Sequence, residues 1–205
     1  EAARKAVGDD WIITCDGNKA GLTAQSTRGV VWDFSRAAAT ARAYQEMNVF
    51  WLEEPLYRYD LAGLAELNRQ VTMNLAGGEA NHGLHEFRDY LVQGCFDIVQ
   101  PDAVLSVGML RARTVAEFAQ LRHCWFTPHT WTNGLGLIAN LHVVAGVGGG
   151  PYVEFPYDPP GWTERRRDFF LCQPLLIDSA GYLTVPAQPG LGVEIDESAV
   201  TRWAL

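Results

Sequence analysis

Six ionisable residues recur along the chain at near-regular intervals: Asp16, Glu53, Glu79, Asp102, His129 and Glu154, separated by 37, 26, 23, 27 and 25 residues. Each alone has a plain structural reading. Asp16 before Gly17-Asn18 suits a turn or helix cap. Glu53 and Glu54 ahead of Pro55 suit a solvated loop, Glu79 follows a Gly77-Gly78 turn, and Asp102 after Pro101 suits a helix N-cap. His129 after Pro128 suits a satisfied structural histidine. Glu154 is harder to place, because a carboxylate between Val153 and Phe155 needs a partner. Together they specify chemistry. Three carboxylates brought to one place repel one another unless a cation sits between them. An all-oxygen set of Asp16, Glu53 and Glu79 suits Mg²⁺. Asp102 and His129 suit an oriented base, in which a carboxylate on one ring nitrogen fixes the tautomer and raises the basicity of the other.

Residues so far apart in sequence meet only if a repeated unit positions them. The chain alternates short β-rich runs with longer helical patterns. Strands are expected at Trp11–Cys15, Val49–Leu52, Thr72–Ala76, Asp97–Gln100, Trp125–Thr127 and Tyr152–Phe155. Helices are expected at Trp32–Met47, Leu61–Gln70, Leu84–Gln93, Met109–Leu121 and Gly136–Ala145. In the first helix Trp32, Ala39, Ala43 and Met47 form the expected apolar stripe; in the second, leucine recurs at 61, 64 and 67. Such alternation predicts an α/β fold with parallel strands and right-handed crossovers, either a doubly wound sheet or a barrel. No Gly-x-Gly-x-x-Gly turn follows the first strand, which argues against a nucleotide-binding sheet. The run Gly146–Gly150 falls between a helix and a strand and reads as a flexible connection. Each ionisable residue lies at the carboxyl end of an expected strand, the end that gathers catalytic groups in a (β/α)8 barrel. Residues 1–170 carry this repeat and read as one catalytic domain, a partial barrel if the barrel alternative holds. Residues 171–205 read as a hairpin (Leu175–Asp178, a turn at Ser179-Ala180-Gly181, Tyr182–Val185) and an irregular tail.

Composition narrows the function classes. The 205 residues are 48% apolar and 20% charged, ordinary for a globular domain. Sixteen Lys and Arg against 24 Asp and Glu give a net charge of −8. The densest basic run is only Arg165-Arg166-Arg167, so nucleic-acid binding is not expected. No apolar stretch is long enough to span a membrane. The four cysteines, Cys15, Cys95, Cys124 and Cys172, match neither a zinc pattern nor a disulfide framework, and a cytoplasmic setting is expected.

The motifs in order resemble the enolase superfamily, in its mandelate racemase-like branch. They are Cys15-Asp16-Gly17-Asn18, Trp51-Leu52-Glu53-Glu54-Pro55, Gly77-Gly78-Glu79, Asp97-Ile98-Val99-Gln100-Pro101-Asp102, Pro128-His129 and Val153-Glu154-Phe155, closed by Pro189-Gly190-Leu191-Gly192-Val193. The resemblance implies a (β/α)8-type TIM barrel, here incomplete with about six βα units. It implies Asp16, Glu53 and Glu79 as Mg²⁺ ligands, His129 as base with Asp102 as its partner, and Glu154 on a substrate carboxylate oxygen. Asn18 would touch a substrate hydroxyl. The reaction implied is abstraction of the proton α to a carboxylate, with an acid sugar as the small-molecule substrate and its dehydration as the leading expectation. Racemisation, epimerisation, lactone cycloisomerisation and an inactive remnant are the alternatives. The family's Lys-x-Lys strand and N-terminal capping domain have no counterpart in these residues. Barrel strands three to eight are therefore expected without the first two, a homo-oligomer is expected for a full-length form, and His82, Trp131 and Tyr157 are candidate pocket residues.

Overall fold

Strand ends and helix starts are written into the local sequence. The computed structural model describes residues 1–21, 31–150 and 152–203. Five parallel strands are hydrogen-bonded in sequence order: β1 (Thr14–Asp16), β2 (Trp51–Glu53), β3 (Asn74–Gly77), β4 (Ile98–Val99) and β5 (Trp125–Phe126). Prolines 55, 101 and 128 follow β2, β4 and β5 within two residues. Lacking an N–H, each proline stops the ladder and releases the chain into a loop at the carboxyl end. The helices are α1 (Ala2–Val7), α2 (Phe34–Glu46), α3 (Leu61–Gln70), α4 (Leu84–Gln93), α5 (Met109–Leu121), α6 (Gly134–Val147), α7 (Glu164–Arg167) and α8 (Glu197–Trp203). Side-chain caps start several of them. Asp33 accepts from Arg36 N at 2.8 Å, Asp60 from Gly63 N at 2.9 Å, and Asn133 from the amides of Leu135 and Gly136. Strand–helix alternation and the parallel sheet make this an α/β fold of the incomplete-barrel kind.

Alternation along each strand separates two faces. Leu52, Leu75, Val99 and Phe126 point outward into the main core, where they meet Ala37, Leu64, Phe87, Ala112 and Ala139 of the surrounding helices. Trp51, Ala76 and Ile98 form a small cluster on the opposite, inner face. Helix α6 is apolar nearly all round because it is covered on both sides. Ala139 and Val143 face the main core, while Leu137 and Ile138 pack with Phe170, Leu171 and Leu175 of the C-terminal segment.

Four local expectations change. In α2 the buried face is Ala37, Ala38 and Ala41, whereas Ala39 and Ala43 are exposed; the helix is rotated to bring small residues against the sheet. Tyr152–Phe155 forms no ladder with β5: Gly150 N reaches Phe126 O at 2.7 Å, then Pro128 offers no donor and Thr130 bonds Glu154 instead. The hairpin after Leu175 is reduced to its turn, with Asp178 N on Tyr182 O at 2.9 Å, because Leu176, Ile177 and Tyr182 are exposed with no sheet to join. Gly146–Gly150 is not a loose connection. Gly146 lies in the last turn of α6, and an added Cβ at Gly149 would sit 2.6 Å from Phe126 O.

The glycine contrast is testable by chemical denaturation. Gly149→Ala is expected to destabilise the protein by about 1–3 kcal/mol through that backbone clash. Gly146→Ala, with nothing within 4 Å of the new methyl, is expected to be neutral or stabilising by up to about 1 kcal/mol. Equal effects would show that the segment yields rather than packs.

Candidate functional site

The inner face carries the polar groups. Parallel register pairs Asp16 with Glu53 directly, and the bonding continues past the strand ends. Gly17 N donates to Glu53 O at 2.8 Å, Lys19 N to Glu54 O at 3.0 Å and Glu54 N to Ala76 O at 3.0 Å. Close approach needs glycine here: a Cβ on Gly17 would lie 3.1 Å from both Glu53 O and Glu54 O, and one on Gly77 would meet the Phe96 ring at 2.7 Å. The loops after β1, β2 and β3 are thus drawn together. They open, with those after β4 and β5, on a cavity of about 690 Å³ whose lining includes Asp16, Asn18, Glu53, Glu79, Gln100, Thr127, His129 and Glu154. Of the expected site residues only Asp102 is not on its surface, being wholly buried behind His129. Trp131 lines the cavity as expected, with Tyr152 and Asp158, while the exposed His82 and Tyr157 are not part of the lining. A second concavity of about 780 Å³, lined by Trp162, Thr163, Arg165, Arg166, Phe169 and Arg202, lies apart and contains no carboxylate.

His129 and Asp102 form the best-defined pair. His129 Nδ1 lies 2.8 Å from Asp102 Oδ2, and Nε2 lies 3.6 Å from Glu79 Oε2. Asp102 Oδ1 accepts from the amides of Val104 at 2.7 Å and Leu105 at 3.2 Å, and from Asn140 Nδ2 at 3.3 Å. Burial alone would raise the Asp102 carboxyl, but the bond to His129 and these donors outweigh it and hold it below its ordinary value. With an ionised acceptor on Nδ1, that nitrogen donates and Nε2 is the one presented to the cavity. Burial also penalises the charged imidazole, yet the bond to Asp102 and the nearby Glu79 and Glu154 raise His129 to about 9.

The remaining carboxylates crowd one another. Burial and then the Asp16 charge push Glu53 well above the usual carboxylate range, against a hydrogen bond from Gln100 that lowers it. Glu79 is raised by burial, opposed by His129, with Asp16 and Glu154 adding to the rise. Glu154 Oε2 accepts from the backbone N–H of Thr130, whose hydroxyl donates to Glu154 O. Three contributors were not legible in the sequence reading. Glu54 is buried in a left-handed conformation (φ 45°) with Oε1 unpartnered, and burial with Glu79 and Asp16 raises it to about 8. Gln100 is buried beside Glu53 with Oε1 unpartnered. Asn140 lies in the apolar α6 and bonds Ala103 N, Asp102, His129 O and Gly136 O. A lone amide inside the apolar run Leu135–Val144 was the available signal for it.

The model of the enolase C-terminal domain-like family matches residues 1–199. The chain belongs to that family. It is 30% identical over 209 residues to the D-galactarolactone cycloisomerase of Agrobacterium fabrum, covering 100% of this chain and 52% of that protein. It is 28% identical to the arabinonate dehydratase of Saccharolobus solfataricus, covering 99% of this chain and 50% of that one. A racemase from Streptomyces coelicolor A3(2), solved with bound magnesium, superposes with a TM-score of 0.81 at 25% identity over 100% of this chain and 50% of that chain. The chain spans about half the length of these relatives, and its fold is that of the superfamily's barrel domain. Among the described residues no helix is long and apolar enough to cross a membrane.

Magnesium can be tested against the donors present. Asp16, Glu53 and Glu79 are all-oxygen donors on one cavity, and the raised Glu53 and Glu79 are groups that a shared cation would relieve. The donor chemistry fits. Among the described residues no three such side chains are yet gathered closely enough to hold an ion. Glu79 is turned toward His129, and Asp16 accepts from Asn18 N at 2.7 Å and from its side-chain amide.

Asp102→Asn tests what sets the imidazole. It removes the principal raising influence and leaves the burial penalty, so His129 should titrate below about 9 when its ring proton is followed by NMR without added divalent metal. An unchanged value would assign the shift to Glu79 and Glu154 alone.

Proposed function

We propose that this domain carries out magnesium-assisted abstraction of the proton α to a carboxylate, with dehydration of an acid sugar as the reaction. The carrying observation is the orientation of His129: Nδ1 is held at 2.8 Å by a buried, ionised Asp102, and Nε2 faces a carboxylate-lined cavity. His129 is the base, taking the α proton at Nε2. Asp102 and Asn140 hold its ring and tautomer. Asp16, Glu53 and Glu79 are the residues that would hold magnesium. Bound there, the ion supplies positive charge against the negative charge that builds on the substrate carboxylate. Glu154, its Oε2 accepting from Thr130 N, would donate a hydrogen bond from a proton on Oε1 to a substrate carboxylate oxygen, and Asn18 meets a hydroxyl. After the proton leaves, the β-hydroxyl departs with a proton that His129 can return, and the enol formed becomes the 2-keto-3-deoxy acid.

Dehydration is preferred because it needs one base, and His129 supplies one. The named dehydratase among the relatives supports that reading. Cycloisomerisation is the second reading, supported by the cycloisomerase relative. Four free thiols, Cys172 exposed among them, accord with the reducing cytoplasm as the site of action.

The test is turnover of a panel of aldonic and aldaric acids by the full chain with Mg²⁺, read as 2-keto-3-deoxy product. His129→Asn is expected to lower turnover by about 10²–10⁴-fold while the melting temperature still rises on adding Mg²⁺. Retained turnover would remove His129 as the base. A lactone product in place of the keto acid would select the cycloisomerase reading. Glu53→Gln should abolish the Mg²⁺-dependent rise in melting temperature; an unchanged rise would place the ion elsewhere.

A further inference from the structure

Glu154 lies on a segment that no strand ladder holds. Residues 152–156 have no sheet pairing, so other contacts must fix where Glu154 points. On one side Thr130 grips it through its N–H and hydroxyl. On the other lies Arg167, the largest fully buried side chain among the described residues. Its guanidinium makes a two-pronged pair with Asp168, Nε to Oδ1 at 2.8 Å and Nη2 to Oδ2 at 2.7 Å. The remaining donors reach Pro156 O at 3.1 Å and Leu175 O at 2.6 Å. The guanidinium carbon lies 4.2 Å from the centre of the Phe155 ring. Asp168 in turn accepts from Leu175 N at 2.8 Å and lies against Gly134 at the start of α6, where an added Cβ would be 2.5 Å from Asp168 Oδ1.

A charged group is costly to bury, and this one makes four hydrogen bonds, two to the adjacent Asp168 and one each to carbonyls on two other segments, at Pro156 and Leu175. Two of its contacts fall on the residues directly after Glu154. Its carboxylate partner is seated on α6, the helix that also carries Asn140 and so braces Asp102 and His129. We infer that Arg167 is a positioning residue for Glu154: it pins Phe155 and Pro156 to the same helix that steadies the base, and so sets the distance across the cavity between Glu154 and His129. Only a fork of fixed, planar donors satisfies the carboxylate and both carbonyls together; lysine offers a single point of charge. The reading of Glu154 as the substrate-facing carboxyl stands behind the word positioning, but its placement can be measured apart from any reaction.

The probe is the backbone amide of Thr130 in ¹H–¹⁵N spectra of the full chain, shifted downfield by its bond to the Glu154 carboxylate. Glu154→Ala gives the value without that bond. Arg167→Lys is expected to move the Thr130 amide most of the way to the Glu154→Ala value, while amides of Leu52 and Leu75 in the sheet keep their wild-type shifts. Where an acid sugar is turned over, the same variant should lose kcat more than it raises KM. A Thr130 amide at its wild-type position in folded Arg167→Lys would overturn the inference. Global loss of the sheet signals would overturn it too, because Arg167 would then support the whole fold and not Glu154 in particular. If no acid sugar is turned over by the unaltered protein, the proposed function fails while the Thr130 result still decides the role of Arg167.

Discussion

Crowding of like charge at one end of a parallel sheet is the constraint to which the rest of the structure answers. Parallel strands joined by helical crossovers all point the same way, so residues at their carboxyl ends meet at one mouth. Here that mouth gathers Asp16, Glu53, Glu79 and Glu154, and burial together with mutual repulsion raises Glu53 and Glu79. No apolar packing relieves such an arrangement. It is relieved by donors, Gln100 on Glu53, Asn18 on Asp16 and Thr130 on Glu154, and by the imidazole of His129 lying 3.6 Å from Glu79. A site that must be balanced in this way is also one poised to take a cation or a proton.

His129 occupies the centre of that balance. Asp102 behind it is wholly buried and saturated by two backbone amides, an asparagine and the imidazole. Burial works against charge on either group, and the hydrogen bond between them offsets that cost on both sides. The same helix that supplies Asn140 is covered on its outer side by the C-terminal segment, where Leu137 and Ile138 meet Phe170, Leu171 and Leu175. Backbone bonds Cys172 N to Glu194 O at 3.0 Å and Asp196 N to Phe170 O at 2.8 Å fold that segment back on itself. The path from the tail through α6 to His129 is therefore continuous packing and hydrogen bonding, not sequence proximity.

Local sequence and tertiary structure divide the work in a way that follows from their physics. Helices α3, α4 and α5 begin and end where leucine spacing, Asp60 and Gly94 place them, since caps and periodicity act over a few residues. The phase of α2 was not legible. Its alanine-rich run has several comparable apolar faces, and only contact with the sheet selects Ala37, Ala38 and Ala41. Tyr152–Phe155 has the composition of a strand, but strands exist by pairing, and Pro128 and Thr130 on the neighbouring segment leave it unpaired.

The sequence by itself determined the α/β alternation, the parallel order and the six ionisable residues, because spacing near one βα unit leaves little choice of where each residue falls. Family membership, too, was expected from short motifs in order, and the family model matches residues 1–199. Tertiary structure alone decided which groups steady those residues. Gln100 and Asn140 look like ordinary polar residues until strand register and helix packing bring them beside Glu53 and Asp102. Arg167 reads as part of a solvent-facing basic run until its burial against Phe155, Pro156 and Leu175 is seen. The reason is one of range. Ionisable residue types and their period are local properties of the chain, whereas burial and hydrogen-bond partners depend on segments far away in sequence that only folding brings into contact.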